Sequence, residues 1–402
     1  MNSQFADRMR SAHRSFIREI LKVTENPEII SFAGGLPNPR FFPVESIVAA
    51  TAKVMQDKIA NPLQYSTTEG YAPLREYIAH RYAKRHGLKI NPNEILITNG
   101  SQQGLDLIGK IFLNKGDFVA LEKPSYLGAI QAFSLYEPQF HTATLRDDGI
   151  DTEQLSALLD QQPSKLFYTI PNFQNPSGIT YSDAKRRATA QVFQHRNTII
   201  VEDDPYGELR FIGQDLPPLK SYLGDNAILL GSFSKIVAPG LRLGWICAHN
   251  EIIEKLVIAK QATDLQSNTL SQRLVYQYVT DNDLDAHIAT IKHHYGIQRD
   301  LMVSAIEQHF PPEVTYTRPE GGMFLWVTLP NPLSAMDLFN HAAKANVAFV
   351  PGKAFYVDGS GNNTLRLNFS NADAHIIEEG IKRLGLTIKQ LLLEKTACHI
   401  AA

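Results

Sequence analysis

Six short apolar runs, separated by stretches of helical periodicity, constrain this chain more than any other feature. They are EILITNG (94–100), DFVALEKP (117–124), KLFYTIPN (165–172), NTIIVEDDPY (197–206), AILLGSF (227–233) and GWICAHN (244–250). Their hydrophobicity is nearly continuous rather than alternating, the pattern of strands covered on both faces. Segments such as QQGLDLIGKIFLN (102–114) and DAKRRATAQVFQHR (183–196) carry apolar residues at helical spacing between them. Strand and helix in alternation predict an α/β domain with a mostly parallel sheet.

The rhythm changes towards the C-terminus. A long helical stretch runs through IATIKHHYGIQRDLMVSAIEQHF, followed by the strand-rich VTYTRPEGGMFLWVTLP and then by helix, strand and a final helix. This predicts a smaller α+β domain, and 402 residues suit two domains. At the other end, RSFIREILKV (14–23) reads as a short amphipathic helix, and IISFAGGLPNPRFFP as an irregular linker. The expected division is 1–43 for the N-terminal helix and segment, packing with the small domain, 44–290 for the large domain and 291–402 for the small one.

Composition removes several function classes. Hydrophobic residues make up 44% and charged residues 20%, as in a globular protein with a sizeable core. A formal net charge of −2 gives no electrostatic reason to bind nucleic acid or an anionic membrane. The polar start MNSQFADRMRSAHRS predicts no secretory leader, and no apolar run predicts a membrane-spanning helix. Two cysteines, Cys247 and Cys398, make no disulfide framework and fit a reducing cytoplasm.

The polar residues that end the apolar runs carry the chemistry. In open α/β sheets ligands bind beyond the carboxyl ends of the strands. EILITNG leads into Ser101 and Gln102, which open a helix where backbone N–H groups favour an anion; an ordinary helix cap at Ser101 is the plain alternative. KLFYTIPN leads to Asn175 in QNPSG, and NTIIV to Asp203 and Tyr206. A carboxylate at a buried strand end needs a cationic or hydrogen-bonding partner, either a structural salt bridge or a protonated ring nitrogen. AILLGSF enters GSFSKIVAPGLR, where Ser232, Ser234 and Arg242 resemble an oxyanion clamp around Lys235. Partial burial lowers a lysine's pKa and frees its amine as a nucleophile, whereas most lysines are merely exposed. A pyridine ring bearing an aldehyde and a phosphate accounts for all of these at once. Lysine takes the aldehyde, serines and arginine the phosphate, and aspartate the ring nitrogen. Asn175 and Tyr206 reach the ring hydroxyl, and Tyr126 in KPSYLG can stack on the ring. GLDLIGK (104–110) imitates a P-loop, but Ile111 stands where a hydroxyl should hold magnesium. No metal site is expected. His293 and His294 adjoin on a predicted helix and read as surface residues.

At these residues the chain resembles the fold-type I aminotransferases that use pyridoxal 5′-phosphate (PLP). The motifs are SFSKIVAPGLRLGW, NFQNPSG, VEDDPY, TNGSQQGLDL, LQYSTTEGYAPLR and LRLNFS, in the family's order over residues 14 to about 390. ISFAGGLPNPRFFP narrows the resemblance to the branch of 2-aminoadipate and kynurenine aminotransferases. It implies a mostly parallel seven-stranded sheet sandwiched by helices, with the smaller α+β domain beside it. It makes Lys235 the catalytic base and pairs Asp203 with the pyridine nitrogen. Asn175 and Tyr206 contact the ring oxygen, with Ser177 in the usual third place of the NP[ST]G motif. Ser101, Gln102, Ser232, Ser234 and Arg242 contact the phosphate, and Arg366 in LRLNFS holds the substrate α-carboxylate. Tyr65 in LQYS reaches the phosphate of a neighbouring subunit, which implies a homodimer with shared active sites. Gly34 and Gly35 let the N-terminal segment close over substrate.

The implied reaction moves an amino group from an L-amino acid of 2-aminoadipate, aromatic or branched-chain type to a 2-oxo acid, 2-oxoglutarate first among them. β-Elimination or decarboxylation on the same cofactor is a second reading. A ligand-sensing aminotransferase-like domain of a transcription regulator is a third, disfavoured because only about 13 residues precede the first predicted helix. Arg18 in FIREIL stands where relatives that handle dicarboxylic substrates place a basic residue. If it reads a distal carboxylate, Arg18→Ala raises KM for 2-aminoadipate and glutamate about tenfold or more. KM for leucine and phenylalanine stays within about twofold. Steady-state kinetics on the four donors decide it.

Overall fold

The computed structural model describes residues 4–9, 20, 26–57 and 61–400. Two of its strands lie outside the main sheets: β1 (Ile30–Ser31) pairs in parallel with β12 (Val347–Ala348). The large sheet holds β2 (Ile95–Thr98), β3 (Phe118–Lys123), β4 (Gln139–Arg146), β5 (Gly149–Ile150), β6 (Leu166–Thr169), β7 (Ile199–Asp203), β8 (Ala227–Ser232) and β9 (Gly244–Cys247). Their order across the sheet is β2-β9-β8-β7-β6-β3-β4-β5. The seven longer strands are those implied by the resemblance, and the two-residue β5 adds an eighth at the edge by turning back on β4. β8, β7, β6, β3 and β4 run parallel, while β9 runs against both β8 and β2.

Alternate residues of the parallel strands feed two separate cores, which is why these strands read as continuously apolar. Val119, Leu121, Leu166, Tyr168 and Val201 join the larger one. Ala120, Phe167, Ile200 and Ala227 face the other way, against Leu155, Leu159 and Phe193 from helices Thr152–Gln161 and Asp183–Phe193. The β4 segment QFHTATLR escaped the apolar pattern because it lies near the sheet edge, where only Ala143 and Leu145 are buried.

Helix Leu284–His309 runs through the expected division at 290 and leads to a second sheet. That sheet contains β10 (Thr315–Tyr316), β11 (Phe324–Thr328), β13 (Val350–Pro351) and β14 (Thr364–Asn368), antiparallel in the order β10-β11-β14-β13. Helix Ala335–Lys344 packs beside it, and helix Ala374–Ile400 packs on that helix and on Leu284–His309. The linker segment 30–38 is ordered against this sheet. Phe32 O accepts from Asn368 N, Gly34 O from Asn368 Nδ2 and Leu36 O from Ser370 Oγ. No helix among the described residues is long and apolar enough to cross a membrane.

The two sheets meet at the turn that follows Asn175. Gly178 has φ +72°, and a Cβ there would lie 2.5 Å from the carbonyl oxygen of Phe324. Gly178→Ala therefore strains the backbone and pushes β11 away. We expect a loss of about 1–3 kcal/mol by chemical denaturation. Gly240→Ala, with open space around it, stays within about 0.5 kcal/mol of the parent.

Candidate active site

The parallel order brings polar strand ends to one edge. β6, β7 and β8 are neighbours, as the pattern required, and the Asp203–Leu230 pair is in register. β2 is not their neighbour. The antiparallel β9 separates it from β8, yet β2 runs in the same direction as β8, so its helix points to the same edge. That helix starts at Ser101. Gly100 is the cap residue, at φ 78° and without a side-chain cap bond, so Ser101 is no ordinary helix cap and its hydroxyl faces the cavity. GSFSKIVAPGLR resolves into the end of β8, a turn through Lys235 and a single 3₁₀ turn at Pro239–Leu241. Arg242 follows in a left-handed conformation, φ 53°. Gly and Pro exclude a long helix there, and the turn aims Ser232, Ser234, Lys235 and Arg242 into one space.

That space is a cavity of about 440 Å³. Twelve predicted residues line it: Ser101, Gln102, Tyr126, Asn175, Asp203, Tyr206, Ser232, Ser234, Lys235, Arg242, Arg366 and Gly35. Tyr65 does not; its side chain is 78% exposed. Arg18 and all of the 14–23 segment except Ile20 lie outside the described residues. The P-loop imitation is interior helix, and His293 and His294 are exposed on helix Leu284–His309.

Burial sets the charge states. The Lys235 amine is pushed down to about 8, first by burial and then by the Arg366 and Arg242 charges. Its Nζ donates to Gly35 O at 2.8 Å. Asp203 is pushed up to about 7 by burial, with the Asp204 charge adding to the rise and a bond from Tyr168 OH to Oδ2, 2.9 Å, opposing it. Arg366 donates from Nη1 to Asn175 Oδ1 and from Nη2 to Ala33 O, both at 2.8 Å. Its guanidinium carbon stands 4.2 Å from the centre of the Phe324 ring. Asn175 Nδ2 is 3.5 Å from Tyr206 OH, and Gln102 Nε2 donates to Gly128 O at 2.8 Å.

Three observations test whether PLP fits. Asp203 Oδ1 is buried and has no hydrogen-bond partner, so it awaits a donor such as a protonated ring nitrogen. A Cβ on Gly128 would sit 2.5 Å from the Tyr126 ring, so glycine leaves that ring lying along the cavity wall. Ser101, Gln102, Ser232, Ser234 and Arg242 share the wall at a helix N-terminus, a donor set suited to a phosphate dianion. The residues fit the group.

Tyr168, Gln131 and Ile170 were missed. Tyr168 was within reach of the pattern: it pairs in register with Val201, so it shares a sheet face with Asp203 two residues on. Gln131 lies on helix Leu127–Ser134, and nothing in its sequence neighbourhood marks it.

The family described as aminotransferase class I and II matches residues 30–384. The aromatic-amino-acid aminotransferase 1 of Thermococcus litoralis is 44% identical over 392 residues, 96% of this chain and 94% of its own. The 2-aminoadipate transaminase of Thermus thermophilus is 44% identical over 382 residues, 94% of each. Among solved structures, the α-aminoadipate aminotransferase of Thermus thermophilus complexed with N-(5′-phosphopyridoxyl)-L-leucine superposes with a TM-score of 0.91. Its identity is 43%, over 98% of this chain and 99% of that one.

Asp203 makes stability depend on pH in the cofactor-free protein. Its carboxyl is raised from 3.8 to about 7 on folding, so the unfolded chain releases the proton first. The folded state therefore loses stability as pH rises from about 4 through 7. Asp203→Asn removes this penalty. Urea denaturation should show the variant gaining on the parent between pH 5 and pH 8, on the order of a few kcal/mol at most. A difference that does not change with pH contradicts it.

Proposed function

This chain belongs to the class I and II aminotransferases, and from that premise we propose which residues do its work and on what substrates. It is a PLP-dependent transaminase. We assign it an amino donor of 2-aminoadipate, aromatic or branched-chain type and a 2-oxo acid acceptor, with 2-oxoglutarate the first choice. The names of the relatives support the donor class. The observation that carries the residue roles is one cavity holding a lowered amine, a half-paired buried carboxyl and a buried guanidinium.

Bound PLP supplies an aldehyde for an amine and a protonated ring that draws electrons from the substrate Cα. Asp203, with its unpartnered Oδ1, would pair with the ring nitrogen and keep it protonated. Ser101, Gln102, Ser232, Ser234 and Arg242 would hold the phosphate, Tyr126 would bound the ring, and Asn175 and Tyr206 would hold its hydroxyl. Arg366 takes the substrate α-carboxylate as a fork of two donors, with Asn175 beside it. Lys235 Nζ then accepts the proton from the substrate Cα and delivers it again, as general base and then acid; an amine near 8 exchanges protons readily at neutral pH. Gly35 bounds the substrate side, and Arg18 remains our choice for a distal carboxylate.

We also propose a homodimer with shared sites, in the cytoplasm. Tyr65 is exposed and lies outside its own subunit's cavity lining, and Val44, Val48 and Leu63 are further exposed apolar residues of the N-terminal part of the large domain. The cysteine usage favours a reducing compartment.

The test is direct. Lys235→Ala should lower kcat by at least about 10³-fold, since an enzyme whose nucleophile and base are one side chain loses both. Borohydride treatment of the holoenzyme should fix a pyridoxyl adduct on Lys235 by mass spectrometry. A donor panel with 2-oxoglutarate, read as glutamate formed, separates transamination from elimination or decarboxylation. An active Lys235→Ala variant would sink the assignment.

A further inference from the structure

Glu122, near the end of β3, is fully buried, yet no ion pair reaches it among the described residues. Buried carboxylates normally keep a cation or titrate. Burial pushes this one up to about 7 in spite of its hydrogen bonds. Four donors surround it. Thr169 Oγ1 and Tyr181 OH donate to Oε1 at 2.7 and 2.8 Å, and Gln174 Nε2 donates to Oε2 at 2.9 Å. Ile170 N lies 3.3 and 3.4 Å from the two oxygens. In register Glu122 pairs with Ala143 on one side and neighbours Thr169 on the other, so it projects from the face opposite Tyr168 and Asp203. It does not touch the cavity.

Its reach into the site goes through Gln174. That side chain is also fully buried and uses every polar atom. Nε2 donates to Glu122 and to Pro124 O at 2.8 Å, and Oε1 accepts from Ser177 N and Ser177 Oγ at 2.9 and 2.7 Å. Gln174 therefore ties the strand end that carries Tyr126 to the turn that carries Asn175. Its amide orientation is dictated from both sides: a carboxylate and a carbonyl demand the NH₂ group, and a backbone N–H demands the oxygen. Glu122 is the partner that supplies the negative end. We propose that Glu122 is a positioning residue of the active site, fixing Asn175 against Arg366 and the cofactor ring through Gln174.

The proposal rests on the role given to Asn175, and the experiment separates the two. Glu122→Gln removes the charge on the acceptor of Gln174 Nε2 and one of its two acceptor oxygens. With the new oxygen towards Gln174, its NH₂ faces Ile170 N–H and the hydroxyls of Thr169 and Tyr181 must turn to accept; with its NH₂ towards Gln174, the Ser177 bonds break. Holoenzymes carrying Glu122→Gln, Gln174→Met, Tyr181→Phe and Asn175→Ala are compared by three readouts: thermal midpoint, KM against kcat for the donor selected by the panel, and the pH midpoint of the cofactor's visible band. Asn175→Ala is the benchmark. A lost donor to the ring hydroxyl disfavours its anion, so the band midpoint moves up. Glu122→Gln and Gln174→Met should move it the same way and raise KM about tenfold, with a smaller change in kcat. Tyr181→Phe removes one donor to Glu122 that has no link to Asn175; it should lower only the thermal midpoint. If Asn175→Ala shifts the band and Glu122→Gln and Gln174→Met do not, Glu122 is merely structural and the proposal falls. If Asn175→Ala shifts nothing, the role of Asn175 falls and takes the proposal with it. Should Glu122→Gln fail to fold, Gln174→Met decides alone, because it cuts the same link.

Discussion

A carboxylate oxygen buried without a partner is the interaction around which this molecule is arranged. Asp203 stands at the end of the central strand β7, wholly inside the protein, with Tyr168 bonded to one oxygen and nothing bonded to the other. An unpaired buried polar atom costs roughly 1–3 kcal/mol, more when it is charged. The fold bears that cost at the oxygen where, on our proposal, a protonated ring nitrogen would remove it. Burial raises the Asp203 carboxyl, whose anion gains a bond from Tyr168 but no cationic partner among the described residues.

The sheet separates its carboxyls by face. Asp203 points to the cofactor side. Glu202, the residue before it, points away and accepts from the backbone N–H groups of Leu219 and Lys220 at 2.8 and 2.9 Å. Thr169 pairs with Glu202 in register, and Glu122 accepts from Thr169 on the next strand. Two buried acids and a threonine thus share the far face at the same level as the site. Both acids are raised to about 7 by burial, yet neither has an unpaired oxygen. Paired buried carboxyls on one face hold loops, and the half-paired one on the other face awaits a ligand.

The parts that were legible in the sequence are those where one residue type answers one local demand. Continuous apolar runs marked six of the large sheet's strands, and the polar residues just beyond them include ten that line the cavity, with Arg366 and Gly35 added by the resemblance. The roles within that set came from the resemblance. Less was legible where the demand comes from afar. β4 is half exposed and mixes His, Thr and Arg among its apolar residues, so its pattern is weak. Ser101 looked equally like a helix cap, and only the left-handed Gly100 before it decides otherwise. Tyr168 and Glu122 read as ordinary residues of apolar strands. Their parts in the site depend on which strand lies beside which, and sequence spacing does not contain that order. The eighth strand follows from a turn that folds Gly149 and Ile150 back on β4, again a matter of edge geometry.

The N-terminal strap supplies carbonyl acceptors to both basic side chains of the site. Ala33 O accepts from Arg366, Gly35 O accepts from Lys235, and between them Gly34 O accepts from Asn368. Ser370 holds Leu36 O in turn. Arg366 and Asn368, alternate residues of β14, and Ser370 just beyond it therefore grip the carbonyls of residues 33, 34 and 36. These acceptors are neutral. A carboxylate offers Arg366 a charge-assisted bond that is roughly twice as strong as one to a carbonyl. On the role we propose for Arg366, substrate would displace Ala33 from the guanidinium and leave the grip at Asn368 and Ser370 in place. The strap thus gives Lys235 and Arg366 neutral acceptors, and on the proposed role of Arg366 a substrate carboxylate is the stronger acceptor of the two.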